Sequence, residues 1–439
     1  MEIDTLIKAR WIIPIEPAGS VLTDHALAIH DAHIVAICPQ QQALEQFQPA
    51  QTIELPQHVL MPGLVNAHNH VAMTLMRGIA DDLPLMDWLQ NHIWPAEQRW
   101  VNSDFVFDGS LLACAEMLRG GTTCFSDMYF FPEDTARAAE LAGIRATVGL
   151  ILINFPSAWA QDADEYIHKG LDLHDQLKNH PLISTAFAPH APYTVNDEPL
   201  QRIATLAEEL DIPIHMHIHE TAFEVNDAVH QKGQRPLARL QQLGLLSPRL
   251  LGVHMTQLTD EEIHDYATTG AHIIHCPESN LKLASGFCPV DKLLKAGVNV
   301  ALGTDGAASN DDLDMFGEMR TAALIGKAVA NDASALPAET VLRMATINGA
   351  RALGLDDKIG SLEKGKAADV IAINLQGIET EPLYNPLSQL VYATGRERVT
   401  DVWVAGQHVL KNRQLTTLDE AQILTHVRQW QDKLSSPIA

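Results

Sequence analysis

Pro62-Gly63-Leu64-Val65-Asn66-Ala67-His68-Asn69-His70 is the stretch on which the reading of this chain turns. A Pro-Gly turn leads into a short apolar run that ends in two histidines two residues apart. Along a strand, residues i and i+2 share a face. Two imidazoles side by side at a strand end can therefore hold one metal ion. Taken alone, His-x-His is a weak signal that two surface histidines in a loop would also produce. The rest of the chain decides between the two.

From Pro62 onward, short apolar runs alternate with helical segments, the pattern of a parallel sheet. Eight runs stand out: Gly63–Ala67, Thr122–Ser126, Ala146–Leu152, Ile183–Ala188, Ile212–Ile218, Leu250–His254, Ala271–Cys276 and Val298–Gly303. Their continuous apolar character suits strands buried on both faces. Helices are expected between them, including Asp104–Arg119, Asp134–Ala142, Glu198–Leu210, Asp260–Thr268 and Val290–Ala296, and after them over Leu313–Val329 and Ala338–Ala352. Eight βα units predict an α/β fold, a (β/α)8 TIM barrel over 61–359.

Residues 1–60 read instead as short strands and turns: Thr5–Ala9, Trp11–Pro14, Ala26–His30, His33–Cys38, and Gln51–Glu54 running into His58–Leu60. Strand character returns at Gly360–Leu362, Lys364–Lys366, Asp369–Ile373, Val399–Val404 and His408–Lys411. We therefore expect 1–60 and 360–415 to form one small β-sandwich domain from both chain termini. Residues 416–439 are expected to be a terminal helix, over 417–434, and a tail.

Composition narrows the function. The chain has 439 residues, 46% hydrophobic and 19% charged, with 55 acidic against 30 basic side chains and a net charge of −25. Nucleic-acid binding wants a basic footprint, so neither nucleic acid nor an anionic membrane surface is an expected partner. No apolar run is long enough to span a bilayer. The acidic start, Met1-Glu2-Ile3-Asp4, has no basic and apolar signal segment. The five cysteines, Cys38, Cys114, Cys124, Cys276 and Cys288, form no C-x-x-C pair and no even framework. A cytoplasmic location with buried thiols is expected.

The 21 histidines are scattered, several at the ends of apolar runs. In a barrel enzyme, catalytic residues come from the C-terminal ends of several strands. Here those ends carry His68 and His70, His190, His217 and Glu220, His254, His275 and Asp305. Any one alone is most simply a satisfied rim residue, but coincidence explains the set poorly. Three histidines and one aspartate suit a single divalent ion, Zn2+ first, with Fe2+ or Mn2+ as alternatives. On the fifth strand, His215, His217 and His219 share one parity. His217 is the preferred ligand because His-x-x-Glu leaves Glu220 just beyond the strand, near the metal but not on it. His215 is expected deeper in the barrel and hydrogen-bonded, while His219 and His275 more simply support the rim. His-Glu-Thr-Ala-Phe is not the H-E-x-x-H of zincin proteases, and the H-x-E and P-C-x-x-C pair of cytidine-deaminase-type enzymes is absent.

At these residues the chain resembles the amidohydrolase superfamily and, within it, the 5′-methylthioadenosine/S-adenosylhomocysteine deaminases. The resemblance covers essentially the whole length. It rests on the opening stretch with Met73–Gly78, Pro189-His190-Ala191-Pro192-Tyr193, His217-Ile218-His219-Glu220-Thr221, Ser279-Asn280-Leu281-Lys282-Leu283 and Gly303-Thr304-Asp305-Gly306-Ala307-Ala308-Ser309-Asn310. It implies His68, His70, His217 and Asp305 as metal ligands, Glu220 as proton shuttle and His254 beside the metal-bound water. Two-metal members carry a carboxylated lysine after the fourth strand; His190 stands there in this chain, so one ion is expected. The implied reaction is hydrolytic deamination at C6 of an adenine nucleoside, with Asp305 and His254 orienting the water and taking its proton, and Glu220 protonating N1.

The resemblance also places Glu97 against the ribose hydroxyls, His190 on the base or ribose, and Ser309 as a weaker contact. Trp88 and Met86 are loosely held candidates for the pocket wall, and Arg77 is as well explained by a structural ion pair. Relatives that accept S-adenosylhomocysteine carry arginines after the third strand, whereas Ala146–Pro156 has none. An unpaired carboxylate in an apolar pocket is costly. The expected substrate is therefore 5′-methylthioadenosine, then adenosine, with S-adenosylhomocysteine disfavoured. The alternatives are deamination or dechlorination of another ring (guanine, 8-oxoguanine, a triazine) or a barrel that serves only as a scaffold. A homo-oligomer is left open.

Overall fold

The structure, a computed structural model, describes residues 1–435. The eight apolar runs form eight parallel strands hydrogen-bonded in chain order. They are β1 (Leu64–Asn69), β2 (Thr122–Asp127), β3 (Arg145–Leu152), β4 (Ile183–Pro189), β5 (Ile214–Ile218), β6 (Leu250–His254), β7 (His272–His275) and β8 (Asn299–Leu302). Every residue of β1, β2 and β3 is buried, as two-sided burial requires. The intervening helices complete a (β/α)8 barrel.

Two seams of the barrel are thin. β4 and β5 share a single ladder pair, Phe187 with Ile214. Between β8 and β1 the closure is made just beyond the ladder. The Asp305 amide donates to the His68 carbonyl (3.1 Å), and the Asn66 side chain accepts from the Thr304 amide (3.0 Å) and donates to the Thr304 hydroxyl (2.7 Å). Gly303 permits this approach, since a Cβ there would lie 2.7 Å from the His68 nitrogen.

The terminal strands form a second, separate eight-stranded sheet. Glu2–Ile12 lies third from one edge, parallel to Gln48–Pro62 and antiparallel to Leu22–His30. Val370–Asn374 joins on the other side of Gln48–Pro62 and leads to Val399–Val404 and Gln407–Lys411. The far end of His33–Pro39 bonds back to 365–368, where the Ile34 amide reaches the Lys366 carbonyl (2.9 Å). The sheet thus wraps its own core of Ile7, Leu27, Leu60, Val370 and Trp403.

Several elements differ from expectation. The two runs Thr5–Ala9 and Trp11–Pro14 are one strand, and Gln48–Pro62 is one strand through Pro56. Gly360–Lys366 is not a strand: Gly360 (φ +88°) and Gly365 (φ +94°) turn the chain there. The helix expected over Ala338–Ala352 is two, Ala338–Met344 and Ile347–Ala352. It breaks where the Ala345 carbonyl leaves the helix to accept from the Val65 amide of β1 (2.9 Å). The terminal helix is Glu420–Leu434, capped by Asp419 and held to the barrel by Trp430 Nε1 donating to Asp108 (2.8 Å). Residues 436–439 of the expected tail lie outside the described residues. Among the described residues no helix is long and apolar enough to cross a membrane.

Barrel and sheet are joined by a buried ion pair. Arg145, at the start of β3, donates through Nε (3.0 Å) and a terminal nitrogen (3.1 Å) to the Asp369 carboxylate, which also accepts from the Ala405 amide (2.8 Å). Removing one partner strands a buried charge, a loss of about 3–5 kcal/mol. Asp369→Ala should therefore lower the denaturant midpoint far more than the double variant Asp369→Leu/Arg145→Met. Equal losses in chemical denaturation would contradict the coupling.

Candidate active site

The C-terminal ends of the barrel strands bring His68, His70, His217 and Asp305 together, with one donor atom from each inside a 4.8 Å group. Four of the spacings are nearly equal. His68 Nε2 and His70 Nε2 each lie 3.2 Å from Asp305 Oδ1, and His217 Nε2 lies 3.2 Å from His68 Nε2 and 3.3 Å from His70 Nε2. Ligands ~2.0 Å from a shared ion, near the tetrahedral angle, sit ~3.3 Å apart. Four nitrogen and oxygen donors at that spacing fit a divalent metal.

The ring orientations are set from behind. His68 Nδ1 bonds His215 Nε2 (2.8 Å), whose Nδ1 reaches the Ser126 hydroxyl (3.2 Å). His70 Nδ1 donates to the Met128 carbonyl (2.6 Å), and His217 Nδ1 to the His190 carbonyl (2.8 Å). With Nδ1 so occupied, each ring turns its Nε2 toward the centre. Burial favours neutral rings: it lowers His68 to about 4 and pushes His217 and His215 well below their ordinary values. Burial also acts against charge on His70, but hydrogen bonding and proximity to Asp305 outweigh it and raise that ring to about 9. The cluster draws positive charge.

Asp305 is ionised in spite of its burial, because the His68 and His70 rings hold its carboxyl well below the usual range. Its second oxygen accepts from Ser279 (2.6 Å) and Ser309 (2.8 Å), and Oδ1 accepts from the Gly306 amide (2.8 Å). Ser309 thus lines the cavity with its hydroxyl turned to Asp305. His219 (φ +54°), His254 (φ +72°) and Asp305 (φ +64°) all adopt left-handed backbone at strand ends. Such strain costs about 1–3 kcal/mol per residue and persists only where the surroundings enforce it.

One cavity opens from the quartet. Its wall includes His190, Glu220, His254 and Ser309 near the four ligands, and Glu97 at Trp94–Trp100. Burial raises the Glu220 carboxyl, opposed by nearby His254, whose Nε2 lies 3.9 Å from Glu220 Oε2. His254 Nδ1 donates to Asn280 Oδ1 (2.8 Å), which leaves Nε2 as the free base on the cavity side. Glu97 is half-buried, accepts from the Tyr129 hydroxyl (2.7 Å) and is raised to about 7 by desolvation of its carboxyl group. Trp88 lines this cavity; Met86 does not, lining instead an adjoining outer chamber. Arg77 is in an ion pair with Glu116.

The Amidohydrolase family model matches residues 59–409. The chain belongs to the amidohydrolase family. It is 53% identical to a 5-methylthioadenosine/S-adenosylhomocysteine deaminase of Teredinibacter turnerae, over 99% of this chain and 98% of that one. Its fold superposes on the crystal structure of an adenosine deaminase from Xanthomonas campestris with bound zinc, with a TM-score of 0.98 and 57% identity over 99% of both chains. It also superposes on the zinc complex of atrazine chlorohydrolase from Arthrobacter aurescens, with a TM-score of 0.90 and 26% identity over 97% of this chain and 99% of that one.

Four supports of this amidohydrolase site were missed in the sequence. Ser279 and Asn280 lay in a recognised motif without an assigned role. Tyr129 carried no signal, and the Met128 carbonyl could carry none, being backbone. His275 is buried and outside the cavity wall, and His219 accepts from the Leu237 amide (3.3 Å).

The His215 ring is hydrogen-bonded to the back of His68 and to Ser126. His215→Leu should weaken Zn2+ affinity by about 10–100-fold while far-UV circular dichroism stays unchanged. Unaltered affinity in a competitive chelator titration would contradict the orienting role.

Proposed function

We propose that this amidohydrolase deaminates adenine nucleosides, converting 5′-methylthioadenosine and water to 5′-methylthioinosine and ammonia, with adenosine and S-adenosylhomocysteine as further substrates. The observation that carries it is the pairing, in one cavity, of a protonatable Glu220 beside the metal-type quartet with a half-buried carboxyl group, Glu97, along the wall. The first suits attack on a heteroaromatic C–N bond; the second suits a ribose diol, because a carboxylate accepts two hydroxyl donors well.

His68, His70, His217 and Asp305 would hold the ion, Zn2+ by their donor set, with Fe2+ or Mn2+ as substitutes. A divalent ion there supplies Lewis acidity and lowers the pKa of water toward neutrality. Asp305 orients the attacking water. Its second oxygen is occupied by two serine hydroxyls, so His254 Nε2 is the better placed proton acceptor. Glu220 gives a proton to N1 as the C6–O bond forms, regains one by way of His254, and protonates the departing amine. Its burial, the largest influence on it, raises the carboxyl against the opposing pull of His254 at 3.9 Å and keeps the acid form accessible. Glu97 and His190 position the nucleoside. Among the described residues, no arginine or lysine lines this cavity. A 5′-methylthio group fits that apolar wall, whereas a 5′-homocysteine carboxylate finds no partner in it.

The test is ammonia release by purified, metal-loaded protein from 5′-methylthioadenosine, adenosine, S-adenosylhomocysteine and guanine. Methylthioadenosine should give the highest kcat/KM and guanine none. Guanine as the preferred substrate would overturn the nucleoside reading, and S-adenosylhomocysteine at or above methylthioadenosine would overturn the order.

Glu220→Gln keeps the shape but cannot cycle a proton. It should bind a full complement of metal and lose about 10²–10⁴-fold in kcat. A rate near wild type would remove Glu220 from the proton path.

A further inference from the structure

The catalytic cavity has a neighbour. A second, outer chamber adjoins it, and the two share Leu85, Trp94, Phe155, Tyr193 and Glu220 as walls. The inner side is apolar beyond the catalytic groups. The outer chamber adds polar side chains, Gln90, Asn154, Asn196, Asp227, Gln231 and Lys232, beside apolar ones such as Met86 and Phe223. Its other cation, Arg239, is committed to Asp197 and to the Pro192 and Val195 carbonyls. Lys232 meets only Asp197, at 3.9 Å.

Trp94 stands three residues before Glu97 on one helix, so the two side chains share a face. Phe155, in the loop after β3, packs against Trp94 with ring centroids 6.3 Å apart at 59°. If Glu97 holds the 2′ and 3′ hydroxyls, the 5′ carbon of the same ribose points to the neighbouring wall, which is the Trp94–Phe155 pair. Resting on the deaminase reading above, we propose that Phe155, braced by Trp94, is the partition that sets the length of the 5′ substituent. It closes the inner cavity over a methylthio group and disfavours longer thioethers, which must pass it to reach the outer chamber. Phe155 is 42% exposed and lies outside the helices and strands, so its ring is not a core element.

The experiment compares kcat/KM for 5′-methylthioadenosine and 5′-butylthioadenosine in wild type, Phe155→Ala and Phe155→Trp, each as the metal-loaded full chain. Phe155→Ala joins the chambers, and the butylthio-to-methylthio ratio should rise about tenfold or more, the scale of discrimination by a few methylenes. Phe155→Trp thickens the partition and should lower the ratio. A change carried by folding or metal content would scale both substrates alike and leave the ratio flat. A ratio within about twofold of wild type in both variants overturns the partition while leaving the deaminase reading intact. Failure of wild type to release ammonia from 5′-methylthioadenosine overturns both.

Discussion

Three hydrogen bonds behind the metal-type cluster carry the design. Each histidine of the cluster has its Nδ1 hydrogen-bonded to a fixed partner: His215 for His68, the Met128 carbonyl for His70, the His190 carbonyl for His217. A neutral imidazole has one donor and one acceptor nitrogen, so fixing the first aims the second. The near-equal spacings among the Nε2 atoms and Asp305 follow from these bonds. The acceptors come from β5 and from the loops after β2 and β4, so the site is assembled only when those elements are in register.

The same logic explains where the barrel is thin. β8 meets β1 through Asn66, Thr304, His68 and Asp305, and β5 is tied to the end of β4 partly by the His217 amide donating to the His190 carbonyl (3.1 Å). Both seams lie at the ligands. Ladder bonds give way there to side-chain and strand-end bonds that serve ligand geometry and closure together. The left-handed backbone of His219, His254 and Asp305 belongs to the same arrangement. It turns the chain sharply at the strand ends, and the amide of Asp305, like those of Met255 and Thr256, finds a carbonyl on a neighbouring strand end.

Most of the barrel was legible in the sequence because two-sided burial leaves continuous apolar runs. Leu250–His254 matched the structure at both ends, and the other strands differed by one or two residues. The co-location of His68, His70, His217 and Asp305 was legible for a related reason: strand ends are easy to place once strands are. Their tautomers were not, since two of the three acceptors are backbone carbonyls. The break at Ala345 was hidden too, because helical periodicity runs straight through it and only contact with Val65 interrupts the hydrogen bonding. Residues 71–100, which roof the cavity with short 3-10, π and α turns, have no single period to read. Arg77 illustrates the converse: its nearness in sequence to His70 says less than Glu116, which pairs with it across the fold.

The most direct test is X-ray absorption at the metal edge of the purified protein, with anomalous diffraction to place the ion. The predicted result is one divalent ion per chain, bound by three imidazole nitrogens and one carboxylate oxygen at about 2.0–2.2 Å, at the point shared by His68, His70, His217 and Asp305. Sulfur in the coordination shell, a second ion bridged to the first, or an ion coordinated elsewhere would contradict the account.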